Sequence, residues 1–201
     1  NGTSLEPVNK IVSIDLETGQ AADLVDGCLF PGSGDFYANP RLSPDGRQLA
    51  WISWNHPDMP WDNTELWLSE LDQNGQLTTT EQVAGDSAPT SIFQPEWSPD
   101  GNLYYVSDQN GWWNLYRLNL SEKRLSPEPI VEIEAEIGLP QWVFGMSTYG
   151  FLSTHQISCA YTQNGIWHLA TINLNQPKLE SHPLPFTDFG GTLKVNGHGI
   201  L

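Results

Sequence analysis

The chain spells Pro-x-x-Ser-Pro-Asp-Gly twice, within NPRLSPDG at Asn39–Gly46 and within QPEWSPDG at Gln94–Gly101. Each copy runs into a short apolar stretch, RQLAWISW after Gly46 and NLYYVSD after Gly101. Self-similarity at a fixed spacing constrains a fold more than composition does, because each repeat must be one supersecondary unit. The apolar stretches are short, aromatic and β-branched, as strands are. Downstream, ELWLSELD (Glu65–Asp72) matches NLYRLNLS (Asn114–Ser121), and both alternate apolar and polar residues with period two.

A degraded third copy follows. LPQWVFG (Leu139–Gly145) echoes QPEW, ISCAYTQNG (Ile157–Gly165) echoes LYYVSDQNG, and IWHLATINL (Ile166–Leu174) echoes WNLYRLNL. KIVSIDLETG (Lys10–Gly19) resembles the third strand of an earlier copy, and LPFTDFGGTLKV (Leu184–Val195) opens a later one. Each unit also has a weaker fourth strand, such as LTTTEQVA (Leu77–Ala84), while IVEIEAEIG (Ile130–Gly138) alternates like a strand. Four short strands about every 50 residues is the pattern of a β-propeller blade. The expected fold is all-β, a single partial propeller with blade units at 37–84, 92–134 and 139–184 and partial units at 1–36 and 185–201.

The turn chemistry agrees. Gln-Asn-Gly recurs at Gln73–Gly75, Gln109–Gly111 and Gln163–Gly165, which predicts two-residue type I′ hairpins. In the two Pro-Asp-Gly turns, Pro sets φ, Asp accepts hydrogen bonds from its own turn and Gly takes the left-handed position. Asp45 and Asp100 are therefore read as turn residues rather than metal ligands.

The net charge is −16, from 24 acidic and 8 basic side chains. That balance excludes a phosphate-tracking nucleic-acid surface and disfavours anionic membranes. It serves solubility, or attraction of cationic substrates. Cys28 and Cys159 stand far apart in no ligand pattern, which points to reduced thiols in the cytoplasm. The sequons at Asn1 and Asn119 are patterns common by chance. No apolar run is long enough for a membrane span and no signal peptide is visible. The chain lacks an initial Met and stops as an apolar run begins, so it reads as a segment of something longer.

Three stretches carry a family resemblance: Leu42–Asp72 with its Trp-Asn-His-Pro-x-Met-Pro-Trp-Asp insertion, Phe93–Leu120 with Gly-Trp-Trp-Asn-Leu, and Pro140–Leu152. Together they resemble the propeller of bacterial serine peptidases of the prolyl oligopeptidase family, in the branch of acylaminoacyl-peptidases and dipeptidyl aminopeptidases. The resemblance implies that a separate α/β-hydrolase domain of the same protein carries a Ser-Asp-His triad, and that the propeller restricts which peptide substrates reach it. The segment would then be non-catalytic while its parent hydrolyses peptide bonds.

The residues agree that no catalytic group is present. Gly-x-Ser-x-Gly is absent. GMSTYG (Gly145–Gly150) has one residue too many, and GDSAP (Gly85–Pro89) lacks the Gly after its Ser, so Ser147 and Ser87 read as loop or strand serines. His56, His155, His168, His182 and His198 form no zinc spacing and no EF-hand loop is present, so no metal or other cofactor is expected.

SWNHPDMPWDNTE (Ser53–Glu65) is the one loop that the repeat does not explain. It joins strands two and three of its blade and so emerges opposite the Pro-Asp-Gly turns. Its face gathers His56, Met59, Trp61, Asp62, Trp112 and Trp113. Either this face meets the hydrolase domain or lines a substrate cavity, or the tryptophans cap the blade core and His56 and Asp62 pin the loop. Trp51, Trp67, Trp97, Trp142 and Trp167 are expected inside strands, packed between blades. A partial propeller leaves strand edges open, so a homodimer is expected through them, or a ring artificially closed by the end strands. The alternative function is a stand-alone propeller used as a protein-interaction scaffold. A propeller lactonase is disfavoured by the lack of an acidic metal cluster.

Overall fold

Strand-forming runs separated by Gly, Pro, Asn and Asp turns give an all-β architecture in the computed structural model, which describes residues 7–26, 34–86, 89–120, 125–189, 191–196 and 199–200. The Asn1 sequon, Cys28, Ser87, Ser121 of the second sequon and His198 lie outside the described residues. Among the described residues there is no helix.

Three antiparallel sheets have four strands each. The first is β3 (Phe36–Leu42), β4 (Gln48–Trp54), β5 (Glu65–Leu71) and β6 (Leu77–Ala84), in that order. The second is β7 (Ile92–Trp97), β8 (Leu103–Ser107), β9 (Asn114–Leu118) and β10 (Pro127–Pro129). The third is β11 (Tyr149–Ser153), β12 (Gln156–Gln163), β13 (Ile166–Asn173) and β14 (Lys178–His182). Two-stranded pieces flank them: β1 (Lys10–Ile14) with β2 (Ala21–Asp26), and β15 (Val195–Asn196) with β16 (Gly199–Ile200). These end pieces form separate sheets, so among the described residues the end strands do not pair into a closed ring.

Period-two alternation explains how the blades stack. In β8, Leu103 and Tyr105 face the first sheet, in a cluster with Ala50, Ile52 and Leu66, while Tyr104 and Val106 face the third, with Ile157 and Cys159. Likewise, Leu49 and Trp51 of β4 turn toward Ile11 and Val25 of the β1–β2 piece. The middle strands are thus buried on both faces, as stacked blades require.

Three expectations are corrected. First, LPQWVFG is not a strand: the third blade starts at Tyr149, and Trp142 sits in the loop at 71% exposure. Trp51 and Trp97 are core residues, and Trp67 packs against the Trp51 cluster. Trp167 lies in β13 but is only half-buried. Second, Ile130–Gly138 is an irregular connector that buries Ile130, Ala135 and Ile137 between blades, with a single bridge from Glu136 to Thr162. Its alternation serves that burial rather than a strand. Third, only Asn164–Gly165 has the paired positive φ of a type I′ turn, at 52° and 77°. At Asp72–Gly75 and Asp108–Gly111 the Gly alone is left-handed, and its N–H donates to the Asp carbonyl. An Asp at the first turn position holds this alternative tightly, since Asp72 Oδ1 accepts from the N–H groups of Asn74 and Gln76.

Candidate functional site

The inner strands carry the motif's least obvious element. Asn39 and Gln94, each just before a Pro, have φ of 52° and 49° and sit in bulges of β3 and β7. The bulge turns their side chains toward later parts of the chain. Gln94 Oε1 accepts from Thr148 N at 2.7 Å, Gln94 Nε2 donates to the Tyr149 carbonyl at 2.8 Å, and the Tyr149 hydroxyl donates to the Gln94 carbonyl at 2.9 Å. Asn39 Nδ2 donates to Oε1 of buried Gln141 at 3.2 Å. That contact anchors the loop at its base, and beyond it Trp142, Val143 and Phe144 project at 71%, 64% and 76% exposure.

Opposite this lip stands the β4–β5 loop, residues 55–64, which polar groups of its own and of neighbouring elements hold. His56 N–H donates to Asp35 Oδ2, Met59 N–H to Asp62 Oδ2, and Asn63 Nδ2 to Asp58 Oδ2. Ser91 Oγ donates to the Pro60 carbonyl, tying the loop to the second blade. The His56–Pro57 peptide is cis. Between loop and lip lies a cavity of about 440 Å³. Phe36 and Trp54, stacked with centroids 5.4 Å apart, help line it, and His56 meets the Phe36 ring edge-on at 4.8 Å. Met59 and Pro60 line one side and Trp142 and Phe144 the other. Trp61 braces Trp142, with ring centroids 4.3 Å apart.

The six candidate residues therefore divide. His56, Met59 and Trp61 come together at this cavity, and Asp62 pins their loop. Trp112 and Trp113 belong elsewhere. Trp112 is exposed in the β8–β9 turn, its N–H donating to Asn110 Oδ1. Trp113 covers the second core, so close to Gly138 that a Cβ there would stand 2.9 Å from its ring. Its neighbour Asn114 is fully buried and clamps the connector through Ile133 N–H and the carbonyls of Ile133 and Ala135. The Gly-Trp-Trp-Asn-Leu run is thus a clamp on the blade connector.

Sequence reasoning missed Trp142, Val143 and Phe144 as site residues by assigning LPQWVFG to a strand. The signal was three large apolar residues in a row, which period-two alternation does not produce. The Ser147 hydroxyl is buried and donates to the Leu193 carbonyl. Among the described residues no group of three or more His, Cys, Asp or Glu is placed to hold a metal ion. The described residues contain no helix long and apolar enough to cross a membrane.

Comparison with solved structures bears on what such a cavity serves. The chain is 31% identical to puromycin hydrolase over 90% of its own length and 26% of that chain, with a TM-score of 0.79. It is 30% identical to a puromycin-hydrolysing peptidase of Mycobacterium tuberculosis, over 92% of its length and 26% of that chain, again at 0.79. These matches are what a propeller segment of a prolyl oligopeptidase-family peptidase would give. Prolyl oligopeptidase B from Galerina marginata, at 12% identity and a TM-score of 0.64 over 90% of this chain, shares the fold. The chain spans about a quarter of the length of these three structures. No protein-family model matches it, and no curated relative does.

Proposed function

We propose that this propeller segment gates the access of peptide substrates to a separate α/β-hydrolase domain of the same protein, a cytoplasmic serine peptidase. The observation that carries the reading is the preformed, largely apolar cavity on the β4–β5 loop face, in a chain similar to peptidases that hydrolyse puromycin. In such an enzyme an acyl-enzyme forms and breaks down on the serine of the hydrolase domain. The propeller supplies no reacting group. It acts by narrowing the approach and by holding part of the substrate, so that binding energy remote from the scissile bond orients the bond itself. His56, Met59 and the Trp61–Trp142 pair would face substrate, whereas exposed Trp112 suits contact with the hydrolase domain. The excess of 24 acidic over 8 basic side chains favours approach of amine-bearing substrates.

The test is hydrolysis by the full-length protein, assayed on aminoacyl amides and on peptides of increasing length. Replacing Trp61 and Trp142 together by Ala should change the ratio of kcat/KM between short and long substrates about tenfold and leave the shortest amide least affected. An unchanged ratio sinks gating. Absence of any serine-dependent hydrolysis sinks the peptidase reading and favours an interaction scaffold.

A further inference from the structure

A second cleft, of about 970 Å³, opens between the outer strands of the first two blades and shares no residue with the cavity beside the β4–β5 loop. Its first wall follows from period-two alternation. Leu68 and Glu70 lie on one face of β5, Glu81 pairs with Leu68, and Val83 stands two residues further along β6. Half-buried Leu120 and Leu125 supply the apolar part of the other wall. These leucines and Val83 belong to one cluster, but β10 has three residues against the eight of β6, so the second blade lacks the outer strand that would cover them. Exposed carboxylates stand along the cleft: Glu70 opposite Gln48 at the Pro-Asp-Gly end, Glu81 midway, and Asp86 near Gln109 at the other end. Among the described residues no Lys or Arg lines the cleft, and no ion pair engages these three carboxylates. Beneath the Asp86 end lies the wholly buried Tyr105, whose hydroxyl has no hydrogen-bond partner among the described residues. Burial first, then Tyr116 and Asp86, keep that hydroxyl protonated.

We infer that this cleft docks an extended, basic segment of a partner protein. Its Lys or Arg heads meet Glu70, Glu81 and Asp86, and apolar residues between them lie on Leu68, Val83, Leu120 and Leu125. Charge complementarity selects the occupant, because an acidic segment would meet like charge at three points along the cleft. The strands select its conformation. β6 and β10 are the margins of their sheets, so a segment laid along them meets unpaired main-chain groups as well as side chains. About five extended residues, at roughly 3.3 Å each, run from Glu70 to Asp86. A main-chain carbonyl arriving at the Asp86 end is an acceptor for the Tyr105 hydroxyl. The docked segment is not a substrate: the cleft lies along the outer strands, and the inference stands whether or not the gating reading does.

The experiment uses the full-length protein, treated with diisopropyl fluorophosphate so that serine-dependent cleavage is blocked, and three end-blocked fluorescent pentapeptides. They are Lys-Leu-Lys-Leu-Lys, Lys-Gly-Lys-Gly-Lys and Glu-Leu-Glu-Leu-Glu, and binding is read by fluorescence anisotropy. The Lys-Leu peptide should bind, the Lys-Gly peptide about fivefold more weakly, and the acidic peptide not at all. Glu70→Gln, Glu81→Gln and Asp86→Asn together should weaken the Lys-Leu peptide about tenfold without lowering Tm, because all three side chains are exposed, and added salt should act in the same direction. A second triple variant removes the same number of carboxylates elsewhere, Glu17→Gln, Glu134→Gln and Glu180→Gln, and should change affinity less than twofold. Equal losses in the two triple variants reduce the effect to net charge and overturn the inference. No binding of the Lys-Leu peptide overturns it, and so does equal binding of the acidic one. Lys123 and Arg124, outside the described residues, join Leu120 to Leu125 in sequence. Binding that appears only after Lys123→Gln with Arg124→Gln assigns the cleft to the chain's own cations and overturns the partner.

Discussion

Gln94 shows what a single residue in a repeated motif can do beyond marking a turn. Its side chain makes hydrogen bonds to Thr148 and Tyr149, in the next blade, from a left-handed backbone position. Replacing it by Ala strands a buried N–H and a buried carbonyl, each worth roughly 1–3 kcal/mol. Gln94→Ala should therefore lower the unfolding free energy by about 3 kcal/mol, read by denaturant titration. Trp51 and Trp142 make a sharper contrast. Trp51 is wholly buried, so Trp51→Ala should cost about 4 kcal/mol, while Trp142→Ala should be neutral. Burial also pushes the Cys159 thiol up to about 12. At pH 8 it is almost entirely protonated, so in a Cys28→Ser background it should resist alkylation until the protein unfolds, as mass spectrometry would show. The turn role of Pro-Asp-Gly was readable from sequence because its partners are local. The roles of Asn39 and Gln94 were not, since their acceptors and donors lie 102 and 54 residues on.

At the scale of elements, the first two blades were legible because turn chemistry and strand alternation repeat together. The third was legible from β12 onward, but its first strand carries no Pro-Asp-Gly turn, and an apolar loop with Pro and Gly at its ends passed for one. The site divided for the same reason. A long insertion stands out against its repeat, whereas a lip built from a blade connector does not. The turns also carry a pH dependence. Hydrogen bonds from turn groups hold the carboxyls of Asp15, Asp45 and Asp72 below the usual carboxylate range: backbone N–H groups of Thr18 and Glu17 for Asp15, the Ser43 hydroxyl first for Asp45, and backbone N–H groups of Gln76 and Asn74 for Asp72. A lowered folded pKa means stabilisation that is complete above the unfolded value near 4 and lost as pH falls through the folded values. Melting temperature should therefore decline below about pH 4. The triple replacement by Asn should flatten that decline while costing some stability at neutral pH.

For the whole molecule, the governing fact is that blades bury both faces while the end pieces cannot. Trp51 and Tyr105 are inaccessible because sheets stack on either side of them. β1, by contrast, has β2 as its only sheet neighbour among the described residues, and it exposes Val12 at 44% and Ile14 at 58%. A strand with one unpaired edge and apolar side chains is a template for another chain. The 201-residue chain should therefore self-associate with rising concentration, in sedimentation-velocity measurements. Val12→Lys with Ile14→Lys should shift it toward monomer, because charge on an edge strand opposes pairing while leaving the buried contacts of Ile11 intact. A chain that stays monomeric at every concentration would show that the β1 edge is protected. Self-association that ignores the two lysines would place the contact at another edge, with β14 and the β15–β16 piece the remaining sheet margins at the far end of the chain.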